Sequence, residues 1–263
     1  MIDFKNIKGF ISDMDGVIYK GNTLLPGVKE FLNWLEKNDK EYLFLTNNSG
    51  QTPKELRMRL LRLGLDVTED HFYTSALATA AFIKNQAPGC SAYVIGEAGL
   101  LNALYDAGIT MNDVNPDYVI VGEGKTYSFD TLTKACNLVL KGAKLIGANS
   151  DVSGPIECGI APACAALVAP IEIATGKKAY FCGKPNPLMM RTGLRMLNCH
   201  SAEAVMIGDR MDTDIISGME SGMSTILVLS GISTKDTVKE YAYKPDMVLG
   251  GVGDIVQAAE SLS

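Results

Sequence analysis

Near the N-terminus the stretch FISDMDGVIY drives two apolar residues, Phe10 and Ile11, straight into the carboxylates of Asp13 and Asp15. Two such charges ~4 Å apart repel by roughly 4 kcal/mol at an effective dielectric of ~20, so the pattern needs a compensating partner. Three other stretches carry complementary chemistry. The run YLFLT ends in Thr46, followed by Asn47, Asn48 and Ser49; a GKP turn holds Lys184; the apolar run AVMIG leads into Asp209, with Asp212 and Asp214 close behind. Each lies where a predicted strand stops or a predicted helix starts. Open parallel sheets bind ligands at the carboxyl ends of their strands. If these ends are neighbours, at least three carboxylates converge beside one lysine.

An all-oxygen set of this kind suits a hard cation, and octahedral Mg2+ commonly shares its coordination with phosphate. A lysine and a Thr/Asn loop would then engage the remaining phosphoryl oxygens. Singly, each stretch has an ordinary reading: an Asx-turn for DMDG, a helix-capping loop for TNNSG, first-turn acids for Asp209 and Asp214, a surface lysine for Lys184. Their coincidence at element ends favours chemistry. A calcium loop starting at Asp13 fails on spacing, because its glycine and bidentate glutamate would fall at Ile18 and Leu24.

The elements that must position these groups alternate between short β-branched runs and helical periodicity, which predicts an α/β fold. Strands are expected at residues 10–14, 42–46, 204–209 and 225–229, with helices over 26–37, from 53 onward, and over 186–197, 214–221 and 252–261. Leu56, Leu60 and Leu63 mark one helical face. Between these sets the grammar repeats: a helix over 75–85, then strands at 92–96, 118–122 and 144–148 with helices between. That middle part can pack its own core. The sequence therefore predicts a discontinuous first domain, about 1–76 and 183–263, with a second domain, 77–182, inserted.

The chain has 263 residues, 47% hydrophobic and 21% charged, as in a globular protein with a substantial core. A net charge of −6 and the lack of any basic cluster argue against a nucleic acid polymer as partner. The most apolar stretch, GIAPACAALVAPI, contains two prolines and falls short of the ~20 residues of a membrane span. The charged N-terminus is unlike a signal peptide. These features predict a cytoplasmic protein with no membrane partner. The six cysteines form no CxxC pair and are expected as buried, reduced thiols. His71 and His200 are too few for a histidine relay and are expected to be structural or surface residues.

With DMDGVIYKGN, LTNNS, VGE, GKPNP and GDRMDTDI in this order, the chain resembles the haloacid dehalogenase superfamily of phosphatases over essentially its whole length, and within it the NagD-type branch. The resemblance implies a Rossmann-like parallel sheet core with helices on both faces, plus an inserted smaller α/β cap controlling substrate access. It implies Mg2+ as cofactor and a small phosphorylated metabolite as substrate. Asp13 would be the nucleophile and form an aspartyl-phosphate. Asp15 would be the general acid and then the general base, with its backbone carbonyl on the metal. Thr46 and the Asn47 backbone amide would hold phosphoryl oxygens, with Asn48 adjacent. Lys184 would neutralise the nucleophile and the transferring group. Asp13 and Asp209 would ligate the metal, and Asp214 would act on it through water or orient Lys184.

Relatives acting on phosphorylated pyridoxal carry a histidine shortly after an Asn-x-Asp segment of the cap. Here that segment is NSDVSG, without one, which favours sugar phosphates or nucleoside monophosphates. Its Asn149 and Asp151 either face the substrate or form a plain turn. Two other classes share some of these features. A phosphoryl-accepting signalling receiver is about half as long and places its acids differently, and a non-catalytic metabolite-binding protein would lack a motif residue. Whether copies of the chain form a homo-oligomer is left open.

Overall fold

The computed structural model describes residues 2–156 and 158–261. The chain forms two compact units: Met1–Thr46 with Arg57–Tyr73 and Lys184–Ser263, and Asn47–Leu56 with Thr74–Gly183.

The first unit is built on a six-stranded sheet ordered Met247–Leu249, Ser224–Val228, Ala204–Gly208, Gly9–Ser12, Glu41–Thr46, Phe72–Thr74. From the first of these through Glu41–Thr46, neighbours pair in parallel. The central strand, Gly9–Ser12, is apolar and buried throughout, as a strand covered on both faces must be. Its successive side chains take opposite faces. Phe10 meets Phe31 and Trp34 of the helix Val28–Lys37, with ring centroids 6.0 and 5.8 Å away. Ile11 points to the helix Pro187–Met196, where a Cβ on Gly193 would lie 3.1 Å from its Cδ1. Helices thus cover both faces. The helix Val28–Lys37 buries Val28, Phe31, Leu32 and Leu35, the i, i+3, i+4, i+7 stripe of an amphipathic helix. It begins after Gly27, where a φ of 79° and the 2.5 Å that would separate an added Cβ from Gly253 Cα exclude a side chain.

The second unit has a five-stranded parallel sheet ordered Tyr180–Phe181, Lys144–Gly147, Tyr118–Val121, Ser91–Ile95, Thr110–Met111. Ser75–Gln86 and Ala98–Asp106 cover one face through Ala76, Ala80, Ile83, Leu100 and Leu104. Phe129–Leu140 and Cys164–Thr175 cover the other through Ala135, Leu138, Val168 and Ile171. It is a second, separate α/β layer structure with its own core.

Several expected boundaries shift. Residues 13–14 leave the strand for a turn, and 214–221 splits into a π-helical turn, Met211–Ile215, and a short helix, Ile216–Glu220. The apolar 159–171 stretch divides between the strand Gly159–Pro162, hairpinned to Ser153–Ile156, and a helix that accommodates Pro170. The segment Asn47–Leu56, expected with the first domain, clusters with the second unit, where the backbones of Asn47, Ser49 and Gly50 are bonded to Asn149, Glu123 and Gly99. Among the described residues no helix is long and apolar enough to cross a membrane.

Candidate active site

In the first unit, register aligns the strand ends. Ser12 is level with Phe44 on one side and Ile207 on the other. The Asp13 N–H continues the ladder to the Ile207 carbonyl at 2.9 Å, so Asp13 follows directly off the sheet. Thr46 closes its strand, buried, and Asp209 is the residue after Gly208. Lys184 is 2% exposed, which a lysine tolerates only when paired. Its Nζ donates to Asp13 Oδ1 and to Asp214 Oδ1, both at 2.7 Å. Asp214 is fixed in turn by the Arg210 N–H at 3.1 Å and Asp209 by the Ile232 N–H at 2.7 Å. Glycines make room for these acids: a Cβ on Gly208 would lie 2.1 Å from Asp214 Cβ, and one on Gly231 1.9 Å from Asp209 Oδ2.

The electrostatics are those of a site short of positive charge. Carboxylate oxygens of Asp13, Asp209 and Asp214 all lie within 4.8 Å of one another. Burial pushes Asp209 up to about 8, with Asp214 and Asp13 adding to the shift. Burial likewise raises Asp214, to about 6, and raises Asp13, in both cases against the pull of Lys184. For Lys184 burial favours the neutral amine, but Asp13 and Asp214 outweigh it and its pKa rises. One ammonium thus faces three acids, and the oxygen-only donor set fits Mg2+, the ion the family likeness implies. The Asp15 carboxylate lies outside this group; it is exposed at the rim, yet surrounding protein raises its pKa by desolvation, against Arg59 and Lys20.

In the second unit a separate polar network shapes the loop after Thr46. Glu123 Oε2 accepts from the Ser49 N–H at 3.1 Å and from Ser49 Oγ at 2.7 Å; Glu123 Oε1 accepts from Asn149 Nδ2 at 2.8 Å. The Asn149 amide also donates to the Asn47 carbonyl at 2.7 Å. Asn47 Nδ2 reaches Asp151 Oδ2 at 3.2 Å. Burial raises the Glu123 carboxyl above its usual range, while Asn149 and Ser49 pull it back. A Cβ on Gly183 would lie 2.6 Å from Asn47 Oδ1 and 2.8 Å from Asn149 Cβ, so the residue before Lys184 must be glycine.

Of the expected residues, Asp13 and Asp214 are bonded to Lys184, Asp209 has a carboxylate oxygen within 4.8 Å of theirs, and Asp15 and Thr46 stand at the same sheet edge. Asn47 and Asn48 belong to the second unit. The Asn48 side chain accepts from the Gly50 and Gln51 N–H groups, each at 2.9 Å, as an Asx-turn does. Asn149 is fully buried and supports the loop. His71 is structural: it stacks on Tyr42 and bonds its carbonyl. The residues that sequence reasoning left without a role are Glu123 and Ser49. The VGE motif was the available signal, since a glutamate ending an apolar strand is the same oddity that marks Asp13.

Comparison with known proteins adds a family likeness. A Haloacid dehalogenase-like hydrolase model matches residues 10–110, and a second HAD-hydrolase-like model matches 181–255. The chain is 47% identical over 246 residues to a dihydroxyacetone phosphatase of Corynebacterium glutamicum (strain R), covering 94% of this chain and 90% of the relative. It is 43% identical to the ribonucleotide monophosphatase NagD of Escherichia coli (strain K12), over 95% of this chain and 98% of the relative. Among solved structures, a 4-nitrophenylphosphatase from Thermotoga maritima superposes with a TM-score of 0.94 at 33% identity, covering 98% of this chain and all of that one.

Proposed function

The chain belongs to the haloacid dehalogenase-like hydrolases and is a phosphatase of their NagD-type branch; on that premise we propose that it is a Mg2+-dependent phosphomonoesterase for small phosphorylated metabolites, working through an aspartyl-phosphate on Asp13. The observation that carries the reading is the Lys184 ammonium bonded to Asp13 and Asp214 beside Asp209. Asp13 attacks phosphorus, the bond from phosphorus to the leaving oxygen breaks, and Asp15 gives that oxygen its proton. The raised pKa of Asp15 supports its holding a proton until then. As a carboxylate, Asp15 next takes a proton from the water that attacks the acyl phosphate, releasing inorganic phosphate and restoring Asp13. Lys184 holds the nucleophile in one orientation and balances its charge. The Thr46 hydroxyl and the Asn47 N–H, adjacent in the chain, bind phosphoryl oxygens. Asp13, Asp209 and the Asp15 backbone carbonyl would hold Mg2+, with Asp214 acting through water or by orienting Lys184. The ion's contribution is neutralisation of charge on the phosphoryl group.

Sugar phosphates or nucleoside monophosphates are the proposed substrates. Support comes from the missing histidine in NSDVSG and from the names of the relatives. The inserted unit, about 77–182, is proposed as the cap that selects among them. A cytoplasmic location is supported by cysteines that are all free thiols, as expected in a reducing compartment. The test is phosphate release from a broad panel of phosphorylated metabolites with Mg2+ present; a panel without any turnover would refute the reading.

A further inference from the structure

The backbone after Thr46 has no repeating structure through Ser49, so something other than a ladder must give it one shape. Glu123 does so at two points. It clamps Ser49 by accepting from both its N–H and its hydroxyl, and the Glu123 N–H donates back to Ser49 Oγ at 3.0 Å. Through Oε1 it also fixes the Asn149 amide, which donates to the Asn47 carbonyl; Ser75 Oγ donates to that carbonyl too, at 2.6 Å. A peptide unit is planar and trans, with C=O and N–H pointing in opposite directions. Pinning the Asn47 carbonyl therefore sets the direction of the Asn48 N–H and the ψ angle of Asn47. Gly122 permits the close approach, because a Cβ there would lie 2.9 Å from Ser49 Oγ.

We propose that Glu123, acting through Ser49 and Asn149, is the positioning residue of the phosphoryl-binding loop, holding the backbone of residues 47–49 so that the Asn47 and Asn48 N–H groups receive the substrate's phosphoryl oxygens. The proposal rests on the phosphoryl-binding role given above to Thr46 and Asn47. The carboxylate is required for its acceptor geometry. The Ser49 N–H, the Ser49 hydroxyl and the Asn149 amide all donate to its two oxygens. Glutamine in either amide orientation would set an NH2 group against Ser49 or against Asn149. Asn149 cannot turn over to accommodate it without losing the bond to Asn47 and the 3.1 Å bond that its Oδ1 accepts from the Asp151 N–H. The same unit supplies a control: Asp117 Oδ2 clamps Ser91 in the same way, by N–H at 2.8 Å and hydroxyl at 3.0 Å, at the start of a strand.

The experiment measures KM for an aryl phosphate and the inhibition constant of inorganic phosphate, with Mg2+ present. Glu123→Gln is expected to raise both by roughly tenfold, the scale of one charge-assisted bond, and Ser49→Ala to raise them less. Asp117→Asn should lower the melting temperature without moving either constant. Should Glu123→Gln fail to fold, Ser49→Ala carries the comparison. If the folded variants keep wild-type phosphate inhibition while Thr46→Ala weakens it, Glu123 is not the positioning residue and the phosphoryl reading stands. If Thr46→Ala also leaves it unchanged, that reading falls as well. An equal effect from Asp117→Asn would reduce the result to general destabilisation and overturn the proposal.

Discussion

The Lys184 ammonium lies 2.7 Å from the Asp13 carboxylate across a sequence separation of 171 residues. The same nitrogen bonds Asp214 at 2.7 Å, so one buried cation joins the first strand of the core to the turn after Gly208. This pairing accounts for how a chain can bury acids at the end of an apolar strand.

Asp13→Asn should abolish turnover and leave the fold intact. The amide oxygen can still accept from Lys184 but cannot form an aspartyl-phosphate, and the loss should reach several orders of magnitude, as for removal of a nucleophile. Activity within about tenfold of wild type would exclude Asp13 as nucleophile.

Lys184→Met should cost stability as well as activity. It leaves Asp13 and Asp214 buried without their cation, and breaking a buried pair on one side costs about 3–5 kcal/mol. Urea denaturation with and without Mg2+ measures this, and a change below about 1 kcal/mol would mean the pair is solvated, as surface pairs are.

Chelation should stop turnover, and excess Ca2+ should inhibit it. The larger ion takes more oxygen ligands and would compete for the carboxylate that must attack. Rates in EDTA equal to those in Mg2+ would remove the metal from the mechanism.

Gly231→Ala should raise the Mg2+ concentration needed for half-maximal activity far more than it lowers thermal stability. Its Cβ would lie 1.9 Å from Asp209 Oδ2 and must displace that carboxylate. A Mg2+ titration reads the effect directly, and an unchanged midpoint would show that Asp209 does not serve the metal.

Thiol labelling of the native protein at mild alkaline pH should modify Cys158 first. Cys158 is exposed, whereas Cys90, Cys164 and Cys182 are buried, and burial pushes Cys164 and Cys182 up to about 12. Since the thiolate is the reactive form, Cys164 and Cys182 should stay unmodified under the same conditions. Their rapid labelling would mean the second unit opens readily.

Much of the candidate site was legible without coordinates because the signals that mark it are local. Asp13 and Asp15 follow an apolar run, Thr46 ends another, and Asp209 ends a third; in a parallel sheet such ends fall at one edge whatever the strand order. The two α/β cores were legible for the same reason, since periodicity of 2 against 3.6 is written residue by residue. What tertiary structure alone decided are pairings across long chain separations. Nothing near Lys184 in sequence announces Asp13 and Asp214 as its partners, and nothing near Ser49 announces Glu123, 74 residues on. Those bonds depend on where the sheets place strand ends in space. They moved Asn47–Leu56 from the first unit to the second and turned Asn149 from a candidate substrate contact into a buried support.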